Sequence, residues 1–424
     1  MKILKIIHGY PPNYNAGSEV YSQSIVNELK KENELFVFSR EENEYLLDFN
    51  FREEQIDAIH FTYVNMARGK DGYNHKILNN KFENYLKKIN PDVVHIGHLN
   101  HLSTGIIDVI KEQSIPVVYT LHDFWLMCPR GQFLQRNFDG ENLYSLCNKQ
   151  EDNKCANSCY KMYFDDNEGE DYYTNWVQRR MQTTRELVRK IDYFIAPSKY
   201  LMNRFVEDFS IPKNKIEYLD YGFPLQYLKP TQKETKKDVF TFGYIGTHIP
   251  SKGLNLLINA FNQLEQPARL KIFGRELGQN TKALKKMALD SKNPIEFCGE
   301  YINENLANVV FNNVDAIVVA SIWGENSPLV IHEAQACHIP VITANYGGMK
   351  EYVSHKKNGL LFEHRCEKSL LEQMMFAVEN PEIMKQLGKR GYLYSKDGTV
   401  PNIQGHCIRL TKIYKTLIKK NNDK

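Results

Sequence analysis

The stretch that decides the fold runs from Ser321 to Gly348 and reads SIWGENSPLVIHEAQACHIPVITANYGG. It follows an apolar run, Val314 to Ala320, that reads as a buried strand, and it passes through a short polar turn into a helix. Pro328 suits a helix start because the first helical position needs no N–H, which makes Ser327 the expected N-cap. The amides of Leu329 and Val330 then stand free at the positive end of the helix dipole, a site for a phosphate or diphosphate. Glu325 precedes the helix and Glu333 lies on it, eight residues later. A ligand with hydroxyls at both ends and phosphates between them matches that spacing. Taken alone, the two glutamates also read as solvated carboxylates.

Outward from this stretch, short β-branched runs alternate with helical segments, the pattern of parallel sheets with crossover helices. The first half offers strands at Lys2 to His8, Glu34 to Ser39, Asp92 to Ile96, Pro116 to Leu121 and Tyr193 to Pro197. The second half restarts at Thr241 to Gly246 and continues at Arg269 to Phe273, Ile295 to Cys298, Val314 to Ala320 and Pro340 to Thr343. Between the halves, Lys229 to Asp238 (KPTQKETKKD) is polar, charged and led by a proline, the best linker in the chain. With 424 residues, two α/β domains, Rossmann-like and doubly wound, are expected, with ligands in a central cleft at the carboxyl ends of their strands. The expected division is 1–230, 238–398 and a terminal helix within 399–424 that crosses back to the first domain.

A net charge of +3 argues against nucleic acid as a partner. No apolar run approaches the about 18 residues that span a bilayer. MKILKIIHGYPP, interrupted by Lys5, reads as a first strand and not a signal peptide, so eight cysteines point to thiols in a reducing cytoplasm.

At Glu325, Glu333, Pro340, Val341, Gly347 and Gly348 the sequence resembles the retaining glycosyltransferases of family 4, glycosyl transferases group 1, which have the GT-B fold. Their mark is a Glu, seven intervening residues and a second Glu, then a Pro-Val strand and a Gly-Gly turn. The resemblance implies transfer of a sugar from a nucleotide-diphosphate sugar to a glycan or lipid-linked glycan acceptor, in polysaccharide or glycoconjugate synthesis, without a catalytic cofactor. Glu325, Lys252 and His122 are the expected catalytic group. The donor would meet Gly17, Gly246, Thr247, Lys252, Arg275, Tyr301, Glu325, Asn326, Ser327, Pro328, Leu329, Val330 and Glu333. The acceptor would meet Tyr10, His98, His101 and Asp123. The lysines of the terminal helix read first as a solvated face, with contact at an anionic inner membrane face as the other reading. The sequence departs from the family at Ala16, where a glycine is usual, and at Thr247, where an arginine is usual. Losing one preorganised donor typically costs about 100- to 1,000-fold in rate, so His248 or Arg275 is expected to compensate. A non-catalytic sugar-nucleotide binding subunit is the alternative that Thr247 leaves open, and a glycosyl phosphorylase of the same fold is another.

One segment, about 128–170, has no counterpart in most of the family. Cys128, Cys147, Cys155 and Cys159 are separated by eighteen, seven and three residues, and the last pair has zinc-knuckle spacing. Four thiolates in a long polar loop point to a structural zinc; four free thiols or an incidental disulfide is the other reading.

Overall fold

The computed structural model describes residues 1–66, 73–137, 144–161, 169–222, 228–229, 239–391 and 401–423. Most of the expected linker, the Phe223-Pro224 pair and Asp165-Asp166 lie outside them. The chain forms two compact units, Met1–Phe223 with Pro401–Lys424, and Pro224–Val400.

The first unit holds an eight-stranded sheet ordered β10-β9-β6-β5-β1-β2-β4-β3. These are β1 (Lys2–Ile6), β2 (Glu34–Glu41), β3 (Phe51–Ile56), β4 (Ile59–Asn65), β5 (Val93–Ile96), β6 (Val117–Thr120), β9 (Tyr193–Ala196) and β10 (Ile216–Tyr218); β7 (Leu134–Arg136) and β8 (Tyr144–Leu146) pair separately. Every pairing in the large sheet is parallel except that of β3 with β4. Central strands such as VVHI and VVYT are buried throughout, because helices cover both faces of a parallel sheet. The chain leaves β1 toward β2 and returns to β5 on the other side, so the sheet reverses direction of growth between β1 and β5, where ligands of such sheets bind.

The terminal helix Ile403–Asn422 packs in this unit. The Tyr414 hydroxyl pairs with His95 Nδ1 at 2.6 Å, and Tyr21 O–H donates to His406 Nε2 at 2.8 Å while His406 Nδ1–H donates to the Asp220 carbonyl at 2.8 Å. Its buried stripe is His406, Cys407, Leu410, Ile413 and Tyr414, at helical spacing; Ile408 lies off that stripe and is 72% exposed.

The second unit is an all-parallel six-stranded sheet, β13-β12-β11-β14-β15-β16, of β11 (Phe240–Ile245), β12 (Ala268–Phe273), β13 (Ile295–Gly299), β14 (Ala316–Val319), β15 (Val341–Ala344) and β16 (Gly359–Phe362). Its growth reverses between β11 and β14. Among the described residues no helix is long and apolar enough to cross a membrane.

Candidate functional site

In the second unit the reversal point gathers the residues that follow β11 and β14. Glu325 is buried, and its Oε1 accepts from Lys252 Nζ at 2.6 Å, Ser321 Oγ at 2.6 Å and Trp323 Nε1 at 3.0 Å. Three donors on one oxygen fix the carboxylate and the lysine together. Two glycine contacts make this possible. Gly253, at φ +70°, has no side chain where a Cβ would lie 1.8 Å from the Ala320 carbonyl, so the Pro250–Lys252 turn rests directly on the end of β14. Gly348 similarly lets its backbone meet the loop before the helix: a Cβ there would lie 1.4 Å from the Asn326 carbonyl, and its N–H donates to the Glu325 carbonyl at 2.7 Å.

The helix runs Leu329–Ala336, and its N-cap is Pro328, at φ −66° and ψ 113°, not Ser327. The expected cap is corrected because the Ser327 hydroxyl is taken by His332 Nε2 at 2.8 Å. Burial pushes the His332 imidazole down to about 3, so this partner is neutral. Cap chemistry aside, the amides of Leu329 and Val330 have no backbone acceptor among the described residues, while Ile331 N–H returns to the Pro328 carbonyl. The helix start therefore presents two N–H groups beside the Lys252–Glu325 pair.

Glu333 is half-buried on the same helix, and burial lifts its carboxyl to about 7. Burial, then the Glu333 charge, pushes the Tyr301 hydroxyl up, which places these two side chains within electrostatic reach. Gly246 and Thr247 follow β11; Gly246 N–H donates to the Phe273 carbonyl, and the Thr247 carbonyl accepts from Ile249 N–H at 2.8 Å. Arg275 is exposed after β12. His248 does not supply the missing cation: it is buried against Thr281 Oγ1 at 3.1 Å, and desolvation lowers its pKa.

In the first unit, the ends of β1, β5 and β6 bring together a second group. His98 Nδ1 accepts from Asn100 N–H at 2.9 Å, so Nε2 carries the proton and faces Asp123 at 3.3 Å. The His8 ring meets the His98 ring edge-on at 4.6 Å, and His8 Nε2 lies 3.1 Å from Glu19 Oε1. Burial alone would raise Glu19, but the His8 hydrogen bond and charge and the Ser18 hydroxyl hold its carboxyl down to about 2. His8 and Glu19 are absent from the sequence-based expectation, since only the fold joins the end of β1 to the first turn of the helix Gly17–Leu29. The sole available signal was a histidine closing a strand just before a glycine turn.

His122 Nδ1 pairs with the Tyr221 hydroxyl at 2.6 Å, and desolvation, with Lys5 nearby, keeps its imidazole well below the usual range. Gly17 opens its helix and is exposed. Tyr10 is a core residue, 5% exposed and edge-on to Phe61, and His101 sits in a left-handed turn at φ +58°.

The four cysteines of the insertion are free thiols lining one small cavity. Burial pushes the Cys155 thiol up to about 12 and raises Cys147 and Cys159, with the neighbouring sulfurs adding to it. Among the described residues no group of three or more His, Cys, Asp or Glu side chains is already arranged to hold a metal ion.

Comparison with known proteins agrees with this layout. The family model for Glycosyltransferase Family 4 matches residues 16–227, and that for Glycosyl transferases group 1 matches residues 228–394. An uncharacterised glycosyltransferase of Methanocaldococcus jannaschii is 28% identical over 207 residues, 48% of this chain and 55% of the relative. The capsular polysaccharide biosynthesis glycosyltransferase CapM of Staphylococcus aureus is 26% identical over 232 residues, 48% of this chain and 58% of the relative. The chain thus spans about half the length of the curated relatives it matches. Among solved structures, sucrose-phosphate synthase of Thermosynechococcus elongatus matches with TM-score 0.72 at 17% identity over 99% of both chains. Anabaena HepE in complex with UDP matches with TM-score 0.68 at 16% identity over 98% of this chain and 100% of that one. These likenesses show the fold, and the family models show the lineage: the chain is a GT-B protein that belongs to glycosyltransferase family 4, within glycosyl transferases group 1.

Proposed function

We propose that the protein is a retaining glycosyltransferase that moves a hexose from a nucleotide-diphosphate sugar to a glycan acceptor, in the synthesis of a cell-surface polysaccharide or glycoconjugate. The observation that carries this reading is the Lys252–Glu325 pair locked at the start of the Leu329 helix, with Glu333 about one turn into that helix. A lysine and two helix amides make a diphosphate site, Glu325 offers its remaining oxygen to sugar hydroxyls, and Glu333 accepts from the ribose diol. Tyr301 takes the base. In the first unit the His98–Asp123 and His8–Glu19 pairs bind acceptor hydroxyls. HepE, which shares the fold, has been solved with UDP-glucose, and CapM is a capsular polysaccharide enzyme by name; both support the choice of substrate class.

In the reaction the bond from the sugar C1 to the leaving β-phosphate oxygen breaks, and a bond from C1 to the acceptor oxygen forms on the same face. The leaving phosphate takes the acceptor's proton. Lys252 and the Leu329 and Val330 amides stabilise the charge that develops on that phosphate. NMR of the product made from an α-linked donor tests retention: an α-linked product is expected, and a β-linked one overturns it. Thr247 favours one second reading, a donor-binding subunit without turnover; saturable donor binding with no nucleotide release under any acceptor would establish it instead.

A further inference from the structure

We propose that Cys128, Cys147, Cys155 and Cys159 close on one zinc ion, and that this ion anchors the loop that carries Asp123. Three separately built segments contribute these four cysteines to the lining of a single cavity. Cys128 ends a tight loop in which its N–H donates to the Phe124 carbonyl at 2.6 Å. Cys147 follows β8, and its N–H donates to the Phe133 carbonyl at 2.8 Å, tying it to the base of β7. Cys155 and Cys159 share the wide helical turn Cys155–Tyr160. The cavity measures about 10 Å³, about the lower limit for a single water-sized particle.

The surroundings fit a tetrathiolate. Zinc with four thiolates carries net charge −2, and Arg130 and Lys154 line the same cavity as the four cysteines. The local apolar cluster is small, Cys155, Ala156, Tyr173, Trp176, Val177 and Met181, so a metal crosslink supplies order that this core cannot. Four sulfurs select zinc or an iron–sulfur centre over the hard cations, and zinc binding releases the thiol protons to solvent.

The anchor reaches the candidate acceptor group directly. Phe124 N–H donates to the Gly131 carbonyl and Gly131 N–H to the Cys128 carbonyl, closing a loop that starts one residue after Asp123. Gly131, at φ +78°, lies so close to Asp123 that a Cβ would stand 3.0 Å from Oδ2. Holding Cys128 therefore holds the floor beneath the Asp123–His98 pair. This positioning step rests on the acceptor reading given above; metal binding itself does not.

The test uses the full chain purified from zinc-supplemented cells under reducing conditions. Elemental analysis should give one zinc per chain, released stoichiometrically by an organomercurial, and cobalt exchanged into the site should show the visible absorption of a tetrahedral thiolate complex. Cys155→Ser should lower zinc affinity by more than the about 10- to 100-fold that loss of an outer-shell partner costs. If the variant does not fold, the wild-type measurements still decide. Metal-free folded protein with four freely titrating thiols, a disulfide among them, or an iron–sulfur chromophore would overturn the assignment. For the positioning step, metal removal should raise the acceptor KM at least about tenfold with donor Kd unchanged; an unchanged acceptor KM would refute that step and leave the metal site standing.

Discussion

Replacing Lys252 with methionine separates the two things that this lysine does. In the folded protein it holds Glu325, whose side chain is 8% exposed, while its own is 33% exposed. Breaking a fully buried ion pair costs about 3–5 kcal/mol, but here the lysine is partly solvated, and Ser321 and Trp323 still donate to the carboxylate. The expected loss is about 1–2 kcal/mol, read as a fall in Tm of about 3–6 °C for a unit of this size. The expected loss in kcat is larger, about 100- to 1,000-fold, because a preorganised donor to the leaving phosphate is gone. Lys252→Met with Glu325→Gln should recover most of the Tm, since no uncompensated carboxylate remains, yet recover none of the rate. Calorimetry and steady-state nucleotide release on the two variants and the wild type make the comparison. Turnover of Lys252→Met within about threefold of wild type, alongside the expected drop in Tm, would refute a role for Lys252 in holding the diphosphate.

Burial raises Glu333 to about 7, so its carboxyl is largely protonated below that pH and ionised above it. If the ionised form binds the ribose diol, donor affinity rises about tenfold between pH 6 and pH 8, and Glu333→Gln flattens the profile; a wild-type profile as flat as the variant's contradicts the assignment. The linkage to folding has the opposite sign: the folded form holds a proton that the unfolded form has released, so this carboxyl lowers stability as pH rises from the ordinary carboxylate range through about 7, a trend that Glu333→Gln should remove in pH-dependent unfolding. Gly348→Ala drives a Cβ into the Asn326 carbonyl and should cost at least about 3 kcal/mol together with donor binding, so an unchanged Tm would contradict the close packing described. Asp123→Asn should raise the acceptor KM and spare donor hydrolysis, and equal losses in both would remove Asp123 from the acceptor group. Arg275→Ala tests whether the exposed arginine replaces the cation absent at Thr247: a loss of about 100-fold in kcat is expected, and unchanged turnover excludes it.

The alternating strands and helices were legible because parallel strands buried on both faces, such as VVHI and VVYT, are continuous apolar runs. The hairpin of β3 and β4 was not, because β3 reads FREEQI, a half-exposed edge strand held by charge: Arg52 donates to Glu41 at 2.7 Å and stacks over Tyr63 at 4.4 Å. In the donor half, Glu325 and Glu333 stood out by their spacing, while the Gly-Gly turn and Lys252 entered through the family resemblance. What Glu325 bonds to was not legible, since Trp323 and Ser321 gain meaning only when the loop folds back on them. Ser327 misled for a related reason: a serine before a proline is a good cap, but a buried histidine one turn later competes for its hydroxyl. The His8–Glu19 and His98–Asp123 pairs join residues from different strands and one helix, so no local pattern announces them.

The most direct test of the central claim is a panel of nucleotide-diphosphate sugars assayed by thermal shift and nucleotide release on the wild type and on Glu333→Ala. The account predicts that one donor stabilises the wild type, that nucleotide is released slowly without acceptor, and that both effects are lost in the variant. Failure of every nucleotide sugar to bind would contradict it.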